Sequence, residues 1–183
     1  SHYDVRSIYS KELGRALANQ MDKHVYQNLI LNSRGNAASP QAAGQSITDA
    51  DFATNAASAA ASIFSAAEKL DAADVPAEDR YCAVSPAVYY NLIQATTVIN
   101  RDWGGSGSYS DGKVLKVAGI NIVPTNNLPS TNITSGVAQG SSTNFAGNFS
   151  NTVGCVWQKN AVGTVKLMDL STEMEYQIQR QGT

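Results

Sequence analysis

The sequence predicts an α+β protein, built from long helices and a set of short strands. Three stretches predict it. Residues 4–33 carry an apolar residue every fourth position. Residues 80–92 pass from an apolar strand through a capped turn into a helix. Residues 113–124 and 152–158 gather β-branched residues between turn signals.

In chain order, residues 4–33 read as one long helix, with Leu13, Leu17, Met21, Val25 and Leu29 in the repeat. A four-residue repeat drifts by ~40° per step on a 3.6-residue helix, so the stripe winds around it. A helix of this length is expected to run along the edge of the fold. Gly35 is placed to end it in the left-handed conformation. Residues 36–46 read as a loop. Thr48 is expected to cap a second helix, with Asp49 and Asp51 in its first turn. Phe52, Ala56, Ala59, Ala60, Ile63, Phe64, Ala67 and Leu70 form its packing face, and Val75-Pro76 stops it.

Tyr81, Cys82, Ala83 and Val84 form a strand expected at the centre of the sheet. Ser85 offers a cap and Pro86 opens the next helix at a position that needs no N–H. Residues 96–111 read as a long glycine-rich loop carrying two aromatics. Residues 114–118 and 120–124 are two short strands about Gly119, or one bent strand. Residues 130–151 read as a second long loop with few apolar anchors. Residues 152–158 form a strand with Val153, Cys155 and Trp157 on one face, and residues 162–167 suit a returning hairpin strand. Residues 172–180 alternate Met174, Tyr176 and Ile178 with Glu and Gln, as a half-buried strand does.

Composition narrows the function. Only 15% of residues are charged, so much of the surface is polar-neutral or faces other protein. A net charge of −2 gives no global basic field for nucleic acid. No apolar run approaches the ~18 residues of a membrane span. Cys82 and Cys155 each lie in an apolar run and read as buried free thiols.

Catalytic and metal chemistry find little support. His2 and His24 are far apart in sequence and the cysteines lack paired spacing, so no metal site is expected. His24 reads as a packing or interface residue. Gly107 to Lys113 matches most of a phosphate-binding loop, but Val114 stands where a Ser or Thr is needed and a strand follows instead of a helix. Asp71, Asp74, Glu78 and Asp79 read as a solvated turn. No cofactor is expected. Trp103 and Tyr109, on a glycine-rich loop, are the residues expected to bury against a partner chain. Arg101, Asn132 and Phe145 join them as interface candidates on the two long loops.

An ordered set of segments carries a resemblance. It comprises Tyr3-Asp4-Val5-Arg6 and Glu12-Leu13-Gly14, then Val84-Ser85-Pro86 with Tyr89 and Leu92. Val117-Ala118-Gly119-Ile120 with Ile122, and Asn126-Asn127-Leu128-Pro129, follow. Gly154-Cys155-Val156-Trp157-Gln158-Lys159-Asn160 through Leu167, and Arg180-Gln181-Gly182, complete it. Together they resemble the major capsid proteins of tailed bacteriophages of the T-seven-like podovirus kind. That resemblance implies the Hong Kong 97 capsid fold: a long spine helix in a peripheral domain, and an axial domain with a central mixed sheet flanked by helices. Residues 1–47 are then the spine helix and linker, 48–167 the axial domain, and 168–183 a strand returning to the peripheral domain. The family's N-terminal arm with its extended hairpin loop, and its last peripheral strand, have no counterpart here, so a fragment is expected.

The implied function is that of a non-enzymatic shell subunit. Its partners are copies of itself in pentamers and hexamers, a scaffolding protein and a portal. It contacts packaged DNA only non-specifically and no membrane. It belongs in the virion capsid, assembled in the host bacterial cytoplasm. The rival readings are an encapsulin-like compartment subunit, which shares the fold, a carbohydrate-binding or adhesin module, and a phosphate-binding enzyme. The long loops are expected to be mobile in the isolated subunit and ordered in a capsomer.

Overall fold

The computed structural model describes residues 5–35, 44–94, 106–108, 113–134 and 145–165. Helix α1 spans Val5–Ser33, as the apolar repeat predicts. It ends through 3-10 bonds, Arg34 N–H to Leu31 C=O at 3.2 Å and Gly35 N–H to Asn32 C=O at 3.1 Å. Gly35 is not among the residues of positive φ, so the expected left-handed cap is absent and the tightened last turn satisfies the carbonyls instead.

Helix α2 covers Ala56–Ala72 and starts about two turns later than expected. Residues 51–55 close on themselves first, with Asn55 N–H bonded to Asp51 C=O at 2.8 Å. Asn55, not Thr48, is the cap: its side-chain oxygen accepts from Ala57 N–H at 3.0 Å and Ser58 N–H at 3.4 Å. Asp49 reaches the helix from outside and accepts from the hydroxyls of Ser58 and Ser62. The Ser62 bond, with help from Ser58, holds its carboxyl below the usual range. Ala59, Ala60, Ile63, Ala66 and Ala67 are buried, while Phe64 is 59% exposed and leaves the packing face assigned to it.

Strand β1 (Arg80–Val84) leads through Ser85 into α3 (Pro86–Gln94). Ser85 accepts from Val88 N–H on its hydroxyl and from Tyr89 N–H on its carbonyl. Strand β2 (Ser106–Ser108) falls inside a stretch read as loop, because Ser-Gly-Ser carries no apolar alternation. Strands β3 (Lys113–Val117) and β4 (Ile120–Pro124) form a hairpin. Its two turn residues, Ala118 (φ 51°) and Gly119 (φ 76°), are both left-handed, which resolves the two-strand alternative.

Strands β5 (Asn132–Ile133) and β6 (Gly147–Asn148) pair with each other. Phe149 follows them fully buried, so the second long loop has an anchor the sequence reading did not credit. Strand β7 (Gly154–Gln158) runs into a short 3-10 turn, Lys159–Ala161. Val153 precedes the strand and is exposed. No strand follows the turn at 162–165, and Val165 is 96% exposed, against the expected hairpin. Leu167 and the alternating segment 172–180 lie outside the described residues.

The main sheet has the order β2-β3-β4-β1-β7. β1 is internal, parallel to β4 with Cys82 opposite Ile122, and antiparallel to β7 with Ala83 opposite Cys155. The sheet is therefore mixed, and β1 holds the centre as expected. Alternation along β1 divides two cores. Cys82 and Val84 face α2 and α3, joining Phe52, Ile63, Val88, Leu92, Ile120 and Ile122. Ala83 faces α1, with Tyr26, Leu29, Cys155 and Trp157. The result is three layers: a helix pair, the sheet, and the inner part of α1.

Candidate assembly surfaces

Only the second half of α1 belongs to these layers. Tyr26, Gln27, Leu29 and Ile30 are buried, whereas residues 7–21 are exposed throughout. Ile8, Tyr9, Leu13, Leu17 and Met21 all present apolar surface to solvent, Leu13 with 73% of its area. At ~1.5 Å per residue this free half is about 22 Å long. Apolar side chains recurring in the open along a projecting helix are a candidate surface for contact with other protein.

The inner half of α1 is fastened by polar contacts as well. Asn127 Nδ2 donates to Asp22 Oδ2 at 2.7 Å. Tyr26 meets Trp157 edge-on, with ring centroids 5.8 Å apart. At the end of the helix, Arg34 Nη1 donates to Asn148 C=O at 2.6 Å and Nη2 to Thr152 Oγ1 at 3.2 Å.

Of the interface candidates, Arg101, Trp103 and Tyr109 lie outside the described residues. Asn132 is exposed on β5, opposite Asn148. Phe145 is half-buried and stacks on His24 of the same chain, centroids 4.3 Å apart and planes 3° from parallel. His24 is thus a packing residue, and Gln20 Nε2 donates to its ring at 2.8 Å. The structure does not bring Asn132 and Phe145 onto one element. The exposed half of α1 is not among the interface residues expected from the sequence, which places this helix along the edge of the fold with its apolar stripe winding around it.

The chemical alternatives meet specific geometry. Lys113 opens a strand, β3, so no helix N-terminus follows the Gly107 loop. The acidic junction is structural: Asp71 accepts from the buried Arg80 at 2.7 Å, and Arg80 also donates to Val75 C=O and, at 2.9 Å, to Pro76 C=O. Among the described residues no group of three or more His, Cys, Asp or Glu side chains is placed to hold a metal ion. No described helix is long and apolar enough to cross a membrane. A cavity of about 330 Å³ lies at the carboxyl ends of β1 and β4, between Ser85, Val88, Thr125, Leu128 and Thr152. Its lining carries no charged side chain to balance a phosphate or carboxylate. Cys82 and Cys155 are free. They face opposite sides of the sheet, and burial pushes both thiols up to about 12.

Known structures share this architecture. The capsid structure of cyanophage P-SCSP1u superposes with a TM-score of 0.74 at 42% identity, over 87% of this chain and 52% of that one. The mature capsid of bacteriophage PhiM1 gives a TM-score of 0.66 at 19% identity, over 86% of this chain and 51% of that one, a likeness of fold. The chain therefore spans about half the length of the capsid chains it matches. No curated protein sequence matches it. The three-layer α+β fold agrees with the capsid architecture implied by the resemblance, and the family profile of Gp10A-like major capsid proteins matches residues 1–183. This chain belongs to the Gp10A-like major capsid protein family.

Proposed function

We propose that the chain is a non-catalytic structural subunit of a phage capsid, which binds copies of itself to form pentamers and hexamers around the genome. The family match over residues 1–183 carries this reading. The exposed stripe of α1 supports it physically. Residues Ile8 to Met21 offer apolar area that a soluble monomer has little reason to display.

In this reading residues 1–47 form the spine helix and linker of a peripheral domain. Residues 48–167 form the axial domain, and 168–183 return to the peripheral domain. Arg101, Trp103, Tyr109, Asn132 and Phe145 lie on loops that meet neighbouring subunits. Scaffolding protein and portal are further partners, and DNA is met without sequence preference, consistent with a net charge of −2. The subunit resides in the virion and assembles in the host bacterial cytoplasm.

Negative-stain microscopy of the full-length product tests the reading. Closed, regular shells are expected. A product that stays monomeric across concentration and scaffold addition refutes it.

A further inference from the structure

Helix α1 leaves the body of the protein as a lever. Its inner part lies on the sheet and residues 7–21 stand in solvent. The edge-on contact of Tyr26 with Trp157 is the pivot. At ~1.5 Å per residue, residue 7 lies about 28 Å from that pivot and Arg34 about 12 Å from it on the other side. A shift of ~1 Å on the short arm thus moves the far tip by roughly 2 Å.

One strip of chain, residues 145–152, holds α1 on both sides of Tyr26. Phe145 stacks on His24. Gly147 lies so close to Leu31 that an added Cβ would stand 2.9 Å from its Cδ2. Arg34 forks onto Asn148 C=O and Thr152 Oγ1, and its guanidinium stands over the Phe149 ring, 5.4 Å from the centroid. The strip is itself anchored. Phe149 has no exposed surface, its N–H donates to Thr131 C=O, and β6 pairs with β5. Three successive parts of the helix are therefore gripped by a segment more than a hundred residues away in sequence. The inner core and the Asn127–Asp22 bond hold α1 near Tyr26, and the contacts at Leu31 and Arg34 hold its far end.

We propose that residues 145–152 form a clasp that sets the angle between α1 and the sheet, with Arg34 as its positioning residue. The clasp is a property of a single chain. Its consequence rests on the shell reading above: the angle of the projecting half sets the inclination between neighbouring subunits and so the curvature of the shell.

The test is a distance distribution between spin labels on the full chain carrying Leu13→Cys on the free half and Glu68→Cys on α2. Both positions are exposed; of the native thiols Cys82 is buried, and the half-buried Cys155 is replaced by alanine in every variant so that only the introduced thiols are labelled. A single narrow distribution is expected for the parent. Arg34→Ala is expected to at least double its width, with the far-ultraviolet spectrum of the body retained. Arg34→Lys keeps the charge but not the planar fork, and falls between the two. An unchanged width in Arg34→Ala overturns the clasp. If Arg34→Ala does not fold, Phe145→Ala takes its place. It removes the ring stack and leaves Phe149 buried, and an unchanged width again overturns the proposal. Particles provide the second readout. A purely structural role for Arg34 lowers yield and melting temperature but leaves one shell diameter. The clasp predicts several diameters. Failure of the parent to form particles refutes the shell reading, while the distance measurement still decides the clasp.

Discussion

Leu92 has no exposed surface and sits where α3 meets β3 and β4. Truncating it leaves a cavity between elements already fixed by the sheet, so relaxation is limited. Leu92→Ala is expected to cost about 2–5 kcal/mol in a denaturant titration. A loss below ~1 kcal/mol would place α3 at the surface. The two thiols give a pH-dependent prediction. Burial raises Cys82 and Cys155 from 9.0 to about 12, and Cys155 adds to the effect on Cys82. Between these values the unfolded chain loses protons that the folded chain keeps. Stability is therefore full below pH 9 and falls as pH rises toward 12, by up to about 1.4 kcal/mol per pH unit for each thiol. Tyr26, raised by burial and then by Asp22, adds a loss of the same sign above pH 10. Cys82→Ala is expected to flatten the decline over pH 9–12. A thiol reagent at pH 8 is expected to modify the buried Cys82 only once the protein is unfolded, and the half-buried Cys155 more slowly than an exposed cysteine.

At the scale of elements, local chemistry decided what the sequence revealed. The β1–Ser85–Pro86–α3 unit was legible because strand, cap and first helical residue are contiguous, and each has a single structural use there. Helix α1 was legible from its repeat alone. The start of α2 was not, since Thr48 and Asn55 are equally good caps and only the turn at 51–55, with Asp49 bonded to Ser58 and Ser62, chooses between them. Phe64, expected on the packing face, is exposed, and Phe149, in a stretch expected to be a loop with few apolar anchors, is buried. Their environments are set by elements distant in sequence, which pattern cannot report. The same holds for Phe145 against His24. The β3–β4 hairpin offers a test at this scale. Ala118 holds φ 51°, a conformation that costs a residue with a Cβ about 1–2 kcal/mol. Asn tolerates it, and Asn-Gly suits this turn. Ala118→Asn is expected to stabilise the chain by roughly 0.5–1 kcal/mol. Gly119→Ala is expected to destabilise it by about 1 kcal/mol for conformational reasons alone, since a Cβ there meets nothing within 4 Å. A fall in denaturant midpoint for Ala118→Asn would contradict the left-handed turn.

At the scale of the whole molecule, stability is unevenly distributed. The sheet with α2 and α3 has a continuous core, while residues 7–21 of α1 are exposed and belong to neither buried cluster of the described residues. An isolated helix of about 15 residues is marginal in water. Gly14 lies in the middle of this one and costs about 1 kcal/mol relative to Ala. The free half is therefore expected to open locally more often than the body, while remaining helical in most molecules of the isolated chain, and to be stabilised once its apolar side chains are covered in an assembled particle. Amide hydrogen exchange on the full-length subunit and on the particle measures both states. Residues 7–21 are expected to gain at least tenfold protection on assembly, while β1 and α3 are protected in both. Leu17→Lys is expected to leave the unfolding midpoint of the body within ~0.5 kcal/mol of the parent, because Leu17 is 47% exposed, and yet to impair assembly. Equal exchange of residues 7–21 in subunit and particle would remove this face from the contacts of the shell. The proposed interface residues Arg101, Trp103, Tyr109, Asn132 and Phe145 would then be the ones to test by substitution.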